Sequence, residues 1–379
     1  MLQLPPLSLY VHIPWCVKKC PYCDFNSHES KNIPEQQYID ALAADLEQEL
    51  AAVQGRKLHS IFFGGGTPSL FSAKAIAAIL DTAEKKIGFE SNIEITLEAN
   101  PGTFEQEKFS EFYRAGVNRL SMGIQSFKEI HLKKLGRIHN GDEAKLAIEM
   151  AAKAGFNNVN LDLMHGLPEQ NLQGALEDLQ TAIDFAPNHI SWYQLTIEPN
   201  TVFFREKPPL PADETLAEIQ DAGQALLAEH GYQQYEVSAF GRKGQQAKHN
   251  LNYWSFGDYI GIGAGAHGKI THPQNQQIIR RQKTRLPEHY LNYQTAPNGK
   301  SIVVDQQELA LEFMMNSLRL TKGVPQRYFA ERTGFSLATI RPKISELIGK
   351  GLLEEHPSQL VTTALGQRYL NTALATFMD

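Results

Sequence analysis

Cysteine is scarce in this chain of 379 residues: there are three, all within positions 16 to 23, so no disulfide framework can be built. Long apolar runs are missing as well, since no stretch approaches the roughly 18 uninterrupted apolar residues of a membrane-spanning helix. The first residues, Met1-Leu-Gln-Leu-Pro-Pro, lack both the basic and the apolar segment of a secretory leader, and none is expected there. An excess of positive charge is lacking too. With 36 basic against 42 acidic residues the formal charge is −6, which argues against a surface built for nucleic acid. These absences predict a globular chain of the reducing cytoplasm. Its 42% apolar content suffices for one large core and one or two small domains.

What is present begins with the cysteines themselves. Cys16, Cys20 and Cys23 stand in the order C-VKK-C-PY-C behind Ser8-Leu-Tyr-Val-His-Ile-Pro14. Three thiolates can hold three irons of a [4Fe–4S] cube and leave the fourth iron open to a small molecule. A zinc knuckle would need a distant His as fourth ligand, and a redox pair would leave one thiol idle. Between the ligands, Pro21 fixes the backbone φ so that the loop can fold around a cube. Tyr22 either covers a face of what is bound or simply packs.

Strand and helix signals alternate along the next two hundred residues. β-branched runs at Leu9–Ile13, Leu58–Phe63, Ile93–Leu97, Arg119–Ile124, Val159–Met164 and Ile190–Ile197 are separated by amphipathic helical patterns. Helices are expected from Pro34 onward, then at Ser72–Lys86, after Thr103 with Gln106 completing a capping box, and at Asp142–Ala154, Leu172–Phe185 and Asp213–His230. Such alternation means an α/β fold with a parallel sheet, and six units predict an open, partial (β/α)6 barrel. The expected organisation is this barrel over 1–231, a mixed strand and loop extension over 232–304, and a C-terminal winged-helix-like helical domain over 305–379.

In a barrel, functional residues gather where strands run into the following loops. Strand two ends in Gly64-Gly65-Gly66-Thr67-Pro68, where missing side chains let backbone approach a ligand. Glu98, Gln125 and Asp162 interrupt the apolar ends of strands three, four and five, where an unpaired polar group is costly to bury. They converge on one cavity or are satisfied separately by backbone. Arg137, after strand four, and Tyr10, near the end of strand one, are further candidates.

Beyond Gly231 the stretch His249-Asn-Leu-Asn-Tyr-Trp254 gathers an imidazole, two amides and two aromatic rings. That set suits a flat metal-bearing ligand such as haem, but on the chemistry alone an aromatic core with a hydrogen-bonded His is the favoured reading. His165, His189 and His267 are rival ligands. In the tail, Glu308–Leu320, Gln326–Thr333 and Leu337–Lys350 read as helices, followed by a short hairpin and a last helix, Gly366–Phe377. Arg341, Lys343 and Lys350 are offset by Glu346, Glu354 and Glu355, which favours a lid or partner-binding role over DNA contact.

The spacing C-x3-C-x2-C just after the first strand resembles the signature of the radical S-adenosylmethionine (SAM) superfamily. The succession SLYVHIPWC, CPYCDF, FFGGGTPSL, LEANP, GIQSF, DLMHGLP, HNLNYW and GIGAGAH resembles the HemW family, relatives of the oxygen-independent coproporphyrinogen III oxidase HemN. The resemblance implies a [4Fe–4S] cluster on Cys16, Cys20 and Cys23. It implies SAM held by Tyr10, Tyr22, Gly65, Gly66, Thr67, Glu98, Gln125, Arg137 and Asp162, and haem held at His249. It further implies a haem chaperone that serves an acceptor such as a membrane respiratory protein, with peripheral membrane contact and no nucleic-acid partner. Radical SAM decarboxylation of coproporphyrinogen III is the alternative activity. HemN-type oxidases carry a further cysteine two positions after the third ligand, where this chain has Phe25, and that departure favours the chaperone.

Overall fold

The computed structural model describes residues 1–292 and 299–378, with the side chains of 103–105 left aside. Six strands lie side by side in chain order: β1 (Leu7–Ile13), β2 (Leu58–Gly65), β3 (Phe89–Ala99), β4 (Arg119–Gln125), β5 (Val159–His165) and β6 (His189–Gln194). All neighbouring pairs among them are parallel, and six helices connect and follow them: α1 (Glu35–Val53), α2 (Ala73–Lys86), α3 (Thr103–Arg114), α4 (Gly141–Lys153), α5 (Leu172–Asp184) and α6 (Asp213–Glu229). The expected partial (β/α)6 barrel is what forms.

Local chemistry accounts for most boundaries. Ser72, Asn140 and Asn171 each cap a helix by accepting backbone N–H groups, and Asn140 forms a full capping box with Glu143. Helix α3 departs from expectation: its N-cap is Gly102, and Gln106 donates instead to the Pro101 and Glu143 carbonyls. The Thr103 side chain lies outside the described residues. Strand β6 stops at Gln194 rather than Ile197. The Leu195 N–H reaches His165 O at 2.9 Å, and since β5 ends at His165 the next residues have no rung to join.

The sheet has two unlike faces because side chains alternate along a strand. On β1, Leu7, Leu9, Val11 and Ile13 pack into the helix-covered core with residues such as Leu42 and Ile76. Ser8, Tyr10 and His12 point the other way, as do Ser60, Asn160 and His189. A parallel sheet usually buries two apolar faces; this one encloses a polar interior.

Residues beyond α6 extend both edges of the sheet. β7 (Gln233–Glu236) and β8 (Ala239–Gly241) add antiparallel to β6, whereas β9 (Asp258–Ile262) pairs parallel with β1 and is followed by antiparallel β10 (His267–His272), β11 (Gln277–Lys283) and β12 (Gly299–Val303). The chain therefore crosses from one edge to the other between β8 and β9. Helix α7 (Lys248–Trp254), which holds the HNLNYW motif, is laid against β1, β2 and β9 on the way.

The tail folds much as expected, with α8 (Leu309–Ser317), α9 (Arg327–Thr333) and α10 (Arg341–Gly349). The helix expected from Leu337 breaks into a 3-10 turn and α10, because Pro342 has no N–H and suits a first turn. The wing forms through Glu354 N–H to Val361 O and Thr363 N–H to Leu352 O, at 3.0 and 3.1 Å. The last expected helix is two short ones, Ala364–Arg368 and Leu370–Ala375, which meet at the non-helical Tyr369. A second core joins Phe313, Phe329 and Leu347 to Leu2, Tyr235 and Phe256 of the sheet's extensions.

Buried ion pairs fasten the β9 to β11 extension. Asp258 is wholly buried and accepts from Lys269 Nζ at 3.0 Å, Arg56 Nη1 at 2.8 Å, and both N–H and Oγ1 of Thr271. Burial pushes its carboxyl up, but the two cations more than offset this and hold it below the usual range. Removing one partner of such a pair strands the other charge in a low dielectric. Asp258→Ala should therefore lower the unfolding free energy by about 3–5 kcal/mol in urea denaturation. A loss below about 1 kcal/mol would show the network to be dispensable.

Candidate functional site

Two cavities open along the C-terminal ends of the strands and meet at Gly65, Glu98 and Phe25. The smaller, about 300 Å³, is lined by Cys16, Cys20 and Cys23 together with Tyr22, Gly65, Gly66, Thr67, Glu98, Gln125, Arg137 and Asp162. The structure thus brings together every candidate from the cysteine loop, from β2 to β5 and from the loops that follow them, with Asp162 in the middle of β5 rather than at its end. Tyr10 is apart from them: it lines the larger cavity, of about 730 Å³, with His249.

The cysteine loop is shaped by backbone packing. Gly66 N–H donates to Ile13 O and Thr67 N–H to Trp15 O, both at 2.8 Å. A Cβ on Gly66 would lie 2.5 Å from Trp15 O, so glycine is required there by the loop backbone and not by a ligand. Gly65 has φ +115°, and a Cβ on it would strike the His12 ring at 2.6 Å. Burial pushes the Cys16 and Cys23 thiols up, with Thr67 and Ser27 bonding to Cys16 and Phe25 and Ser27 bonding to Cys23 in the opposite sense. Thiols so placed become stable thiolates on binding a strongly cationic partner, as metal coordination provides. Among the described residues no three Cys, His, Asp or Glu side chains are arranged to share one ion. Three thiols spread around a cavity suit a multi-iron cluster, in which each iron takes its own ligand.

Charges across the cavity are arranged in opposition. Arg137 donates from Nη2 to Asn100 Oδ1 (2.6 Å) and Gly123 O (2.7 Å), and from Nη1 to Cys20 Sγ (3.6 Å), while its Nε is buried without a partner. Among the described residues no carboxylate pairs with it. Opposite stand Glu98, which accepts from Gly65 N–H at 3.2 Å, and Asp162, which accepts from Ser121 Oγ at 2.9 Å and Asn160 Nδ2 at 2.8 Å. Burial, and next the Asp162 charge, push the Glu98 carboxyl up to about 8. Gln125 closes this side in a left-handed backbone conformation, φ 67°, with Oε1 accepting from Tyr193 O–H at 2.7 Å. A non-glycine residue in that region stores strain, a recurrent feature of ligand sites.

Sequence reasoning missed Asn100, Ser121 and Tyr193. Asn100 bridges Arg137 and Thr67, donating to Thr67 Oγ1 at 3.1 Å. A signal existed: Asn100 lies two residues after Glu98 and so on the same side of the chain.

The larger cavity resolves the reading of HNLNYW. Asn252 is structural, donating to Ser8 Oγ (2.9 Å) and Asp258 O (3.0 Å), while Trp254 also carries the Arg319 guanidinium 4.3 Å above its ring. His249 is 7% exposed, with Nδ1 hydrogen-bonded to Ser60 Oγ at 3.0 Å and its ring 5.1 Å from that of Phe62. Its Nε2 has no hydrogen-bond partner among the described residues. Burial, with the Arg119 charge next, lowers its pKa to about 3, so the imidazole is neutral. The rivals separate clearly. His189 uses both nitrogens, on Asn160 Oδ1 and Tyr235 O–H, and His165 packs on Trp192 outside the lining of either cavity. His267 does line the larger cavity.

Comparison with known proteins agrees over the whole chain. Residues 10–182 match the Radical SAM superfamily, and residues 304–369 match the HemN C-terminal domain. The chain is similar to "Heme chaperone HemW" of Haemophilus influenzae, 52% identical over 383 residues, with 100% of this chain and 99% of the relative covered. The Escherichia coli protein of that name is 49% identical with both chains fully covered, and the Bacillus subtilis one 35% identical with 98% and 99% covered. Among solved structures, coproporphyrinogen III oxidase (HemN) from Escherichia coli superposes with a TM-score of 0.83 over 99% of this chain and 90% of that one. At 22% identity that likeness concerns the fold.

The packing of Gly66 generates a discriminating test. Gly66→Val should displace the Trp15 backbone and so reduce iron retention itself, as Ala at Cys16, Cys20 or Cys23 should. Iron and sulfide analysis after anaerobic reconstitution reads both. A triple Cys→Ala chain that keeps about four irons would refute the cluster assignment. A Gly66→Val chain with full iron would show that the glycine serves only the ligand.

Proposed function

The chain belongs to the HemW family of radical SAM proteins, and on that footing we propose that it is a haem chaperone: it receives haem at His249 and delivers it to an acceptor protein. The observation that carries this reading is the unpaired, neutral Nε2 of His249, set in a cavity of about 730 Å³ with Tyr10, Phe62, Tyr253 and Trp254. Neutral imidazole is the form that binds iron. Ser60 holds the other ring nitrogen and so orients Nε2, the role outer-shell partners play at metal sites. The flat faces of a tetrapyrrole suit the aromatic walls.

In the adjoining cavity, Cys16, Cys20 and Cys23 are proposed to hold a [4Fe–4S] cluster, and Gly65, Gly66, Thr67, Glu98, Gln125, Arg137 and Asp162 to hold SAM. Arg137 on one side and Glu98 with Asp162 on the other suit a ligand that carries both a carboxylate and cationic groups. When bound, cluster and SAM supply one-electron chemistry. Tyr22 walls this cavity, and Tyr10 contributes from the haem side of the junction. Phe25, 62% exposed, stands on the rim of both cavities. Its apolar ring in place of a thiol supports cargo carriage over oxidative decarboxylation.

The acceptor is proposed to be a haem-requiring protein, such as a membrane respiratory protein met by peripheral contact from the cytoplasm. No described helix is long and apolar enough to cross a membrane.

Titration of the anaerobically reconstituted chain with haem should give a stable Soret band. His249→Ala should weaken binding by about tenfold or more, by analogy with the loss of metal-site groups. The low pKa of His249 adds a pH signature. A solvent-exposed imidazole near 6.5 would be about nine-tenths protonated at pH 5.5 and lose roughly tenfold in affinity, whereas His249 stays neutral. Affinity should therefore hold from pH 8 to 5.5. A His249→Ala chain with wild-type affinity and spectrum, or product formed from coproporphyrinogen III with SAM and reductant, would overturn the chaperone reading.

A further inference from the structure

A haem in this cavity must also place its two propionates, and the lining offers few groups for them. Apart from the phenols of Tyr10, Tyr253 and Tyr259, the charged or titratable side chains facing the cavity are Asp24, Glu98, His12, His249, His267 and Arg285. Two are carboxyls and offer a propionate no cation. His12 uses both nitrogens: Nε2–H donates to Asn26 O at 2.8 Å, and Nδ1 meets Tyr10 O–H at 3.0 Å. Burial keeps the His267 imidazole toward its neutral form. Arg285 carries the one guanidinium or ammonium group among the described lining residues, and that guanidinium makes no hydrogen bond or ion pair with any described residue. The neighbouring arginines are committed elsewhere, Arg280 to Glu312 and Tyr259 and Arg281 to Glu49.

The position of Arg285 is fixed although its side chain is exposed. Asn26 Nδ2 donates to Arg285 O at 2.8 Å and to Ala264 O at 2.9 Å, which ties this loop to the cysteine loop. His249 is buried and Arg285 lies at the mouth. Propionate carboxylates are costly to bury unpaired, so they belong at the mouth as well. We infer that Arg285 is the propionate anchor of the cavity, binding the carboxylate edge of haem while His249 meets the iron within. This rests on the haem reading and adds a specificity-determining residue to it. A guanidinium matches a carboxylate through two parallel N–H donors, which an ammonium cannot reproduce.

Esterified haem separates the two roles. The reconstituted full chain is titrated with iron protoporphyrin IX and with its dimethyl ester in the same detergent, following the Soret band. The wild type should prefer the free acid. Arg285→Ala should weaken the acid by about threefold to tenfold, as expected for a charge-assisted pair near solvent, and leave ester affinity unchanged. Arg285→Lys should recover part of the preference. Equal weakening of both ligands, or no change in either, overturns the assignment. The His249→Ala chain tells the two failures apart: if it still loses haem affinity, the haem reading stands and only the anchor is wrong.

Discussion

Glu94 holds helix α7 inside the barrel. Its two carboxylate oxygens accept the backbone N–H groups of Lys248 and His249, each at 3.1 Å, at the end of a helix whose first donors have no partners of their own. The histidine and aromatic wall that α7 gives the larger cavity follows from that anchorage. The anchorage sets His249 against Ser60 and Phe62, brings Asn252 to Ser8, and turns a crossing segment between two sheet edges into one wall of the cavity. Ser8 and Ser60, which bond to each other at 2.7 Å, gain Asn252 and His249 as second partners from this helix.

The polar interior explains why one sheet can serve two neighbouring sites. Outward-facing residues of each strand supply hydrophobic stabilisation with the surrounding helices, so the inward-facing ones are free to be polar. Toward the strand ends they form a cavity in which the Arg137 guanidinium faces the Glu98 and Asp162 carboxyls. Toward β1 and the β9 to β11 extension the lining becomes aromatic. The two environments meet at Glu98 and Gly65, so events in one are felt within hydrogen-bond distance of the other. The second buried network, Asp45 and Glu49 on α1 with Lys283 on β11 and Tyr290 beyond it, does for the extension what Glu94 does for α7. Each secures a segment added outside the barrel proper.

Much was legible from the residues alone because the signals are local. The cysteine spacing lies in one loop, and strand and helix periods are read within ten or fifteen residues. The strand-end polar residues are conspicuous because burying them is costly. By itself the sequence determined the order of six βα units, the three-thiol loop, the polar groups at the strand ends, and through its motifs the HemW family.

Tertiary structure alone decided matters that depend on residues far apart in the chain. That His249 points a free nitrogen into a cavity, while His189 has none and the free Nδ1 of His165 is buried outside both cavities, depends on Ser60, Asn160, Tyr235 and Trp192, none adjacent to the histidine it meets. That Gly66 is required by the Trp15 carbonyl, and that Arg285 stands unpaired at a cavity mouth while Arg280 and Arg281 do not, are likewise facts of packing. The β9 to β12 strands joined the far edge of the barrel because β1 had a free edge there, a pairing no local pattern encodes. Residue type sets what a group can bond to; only the fold sets which partners remain for it.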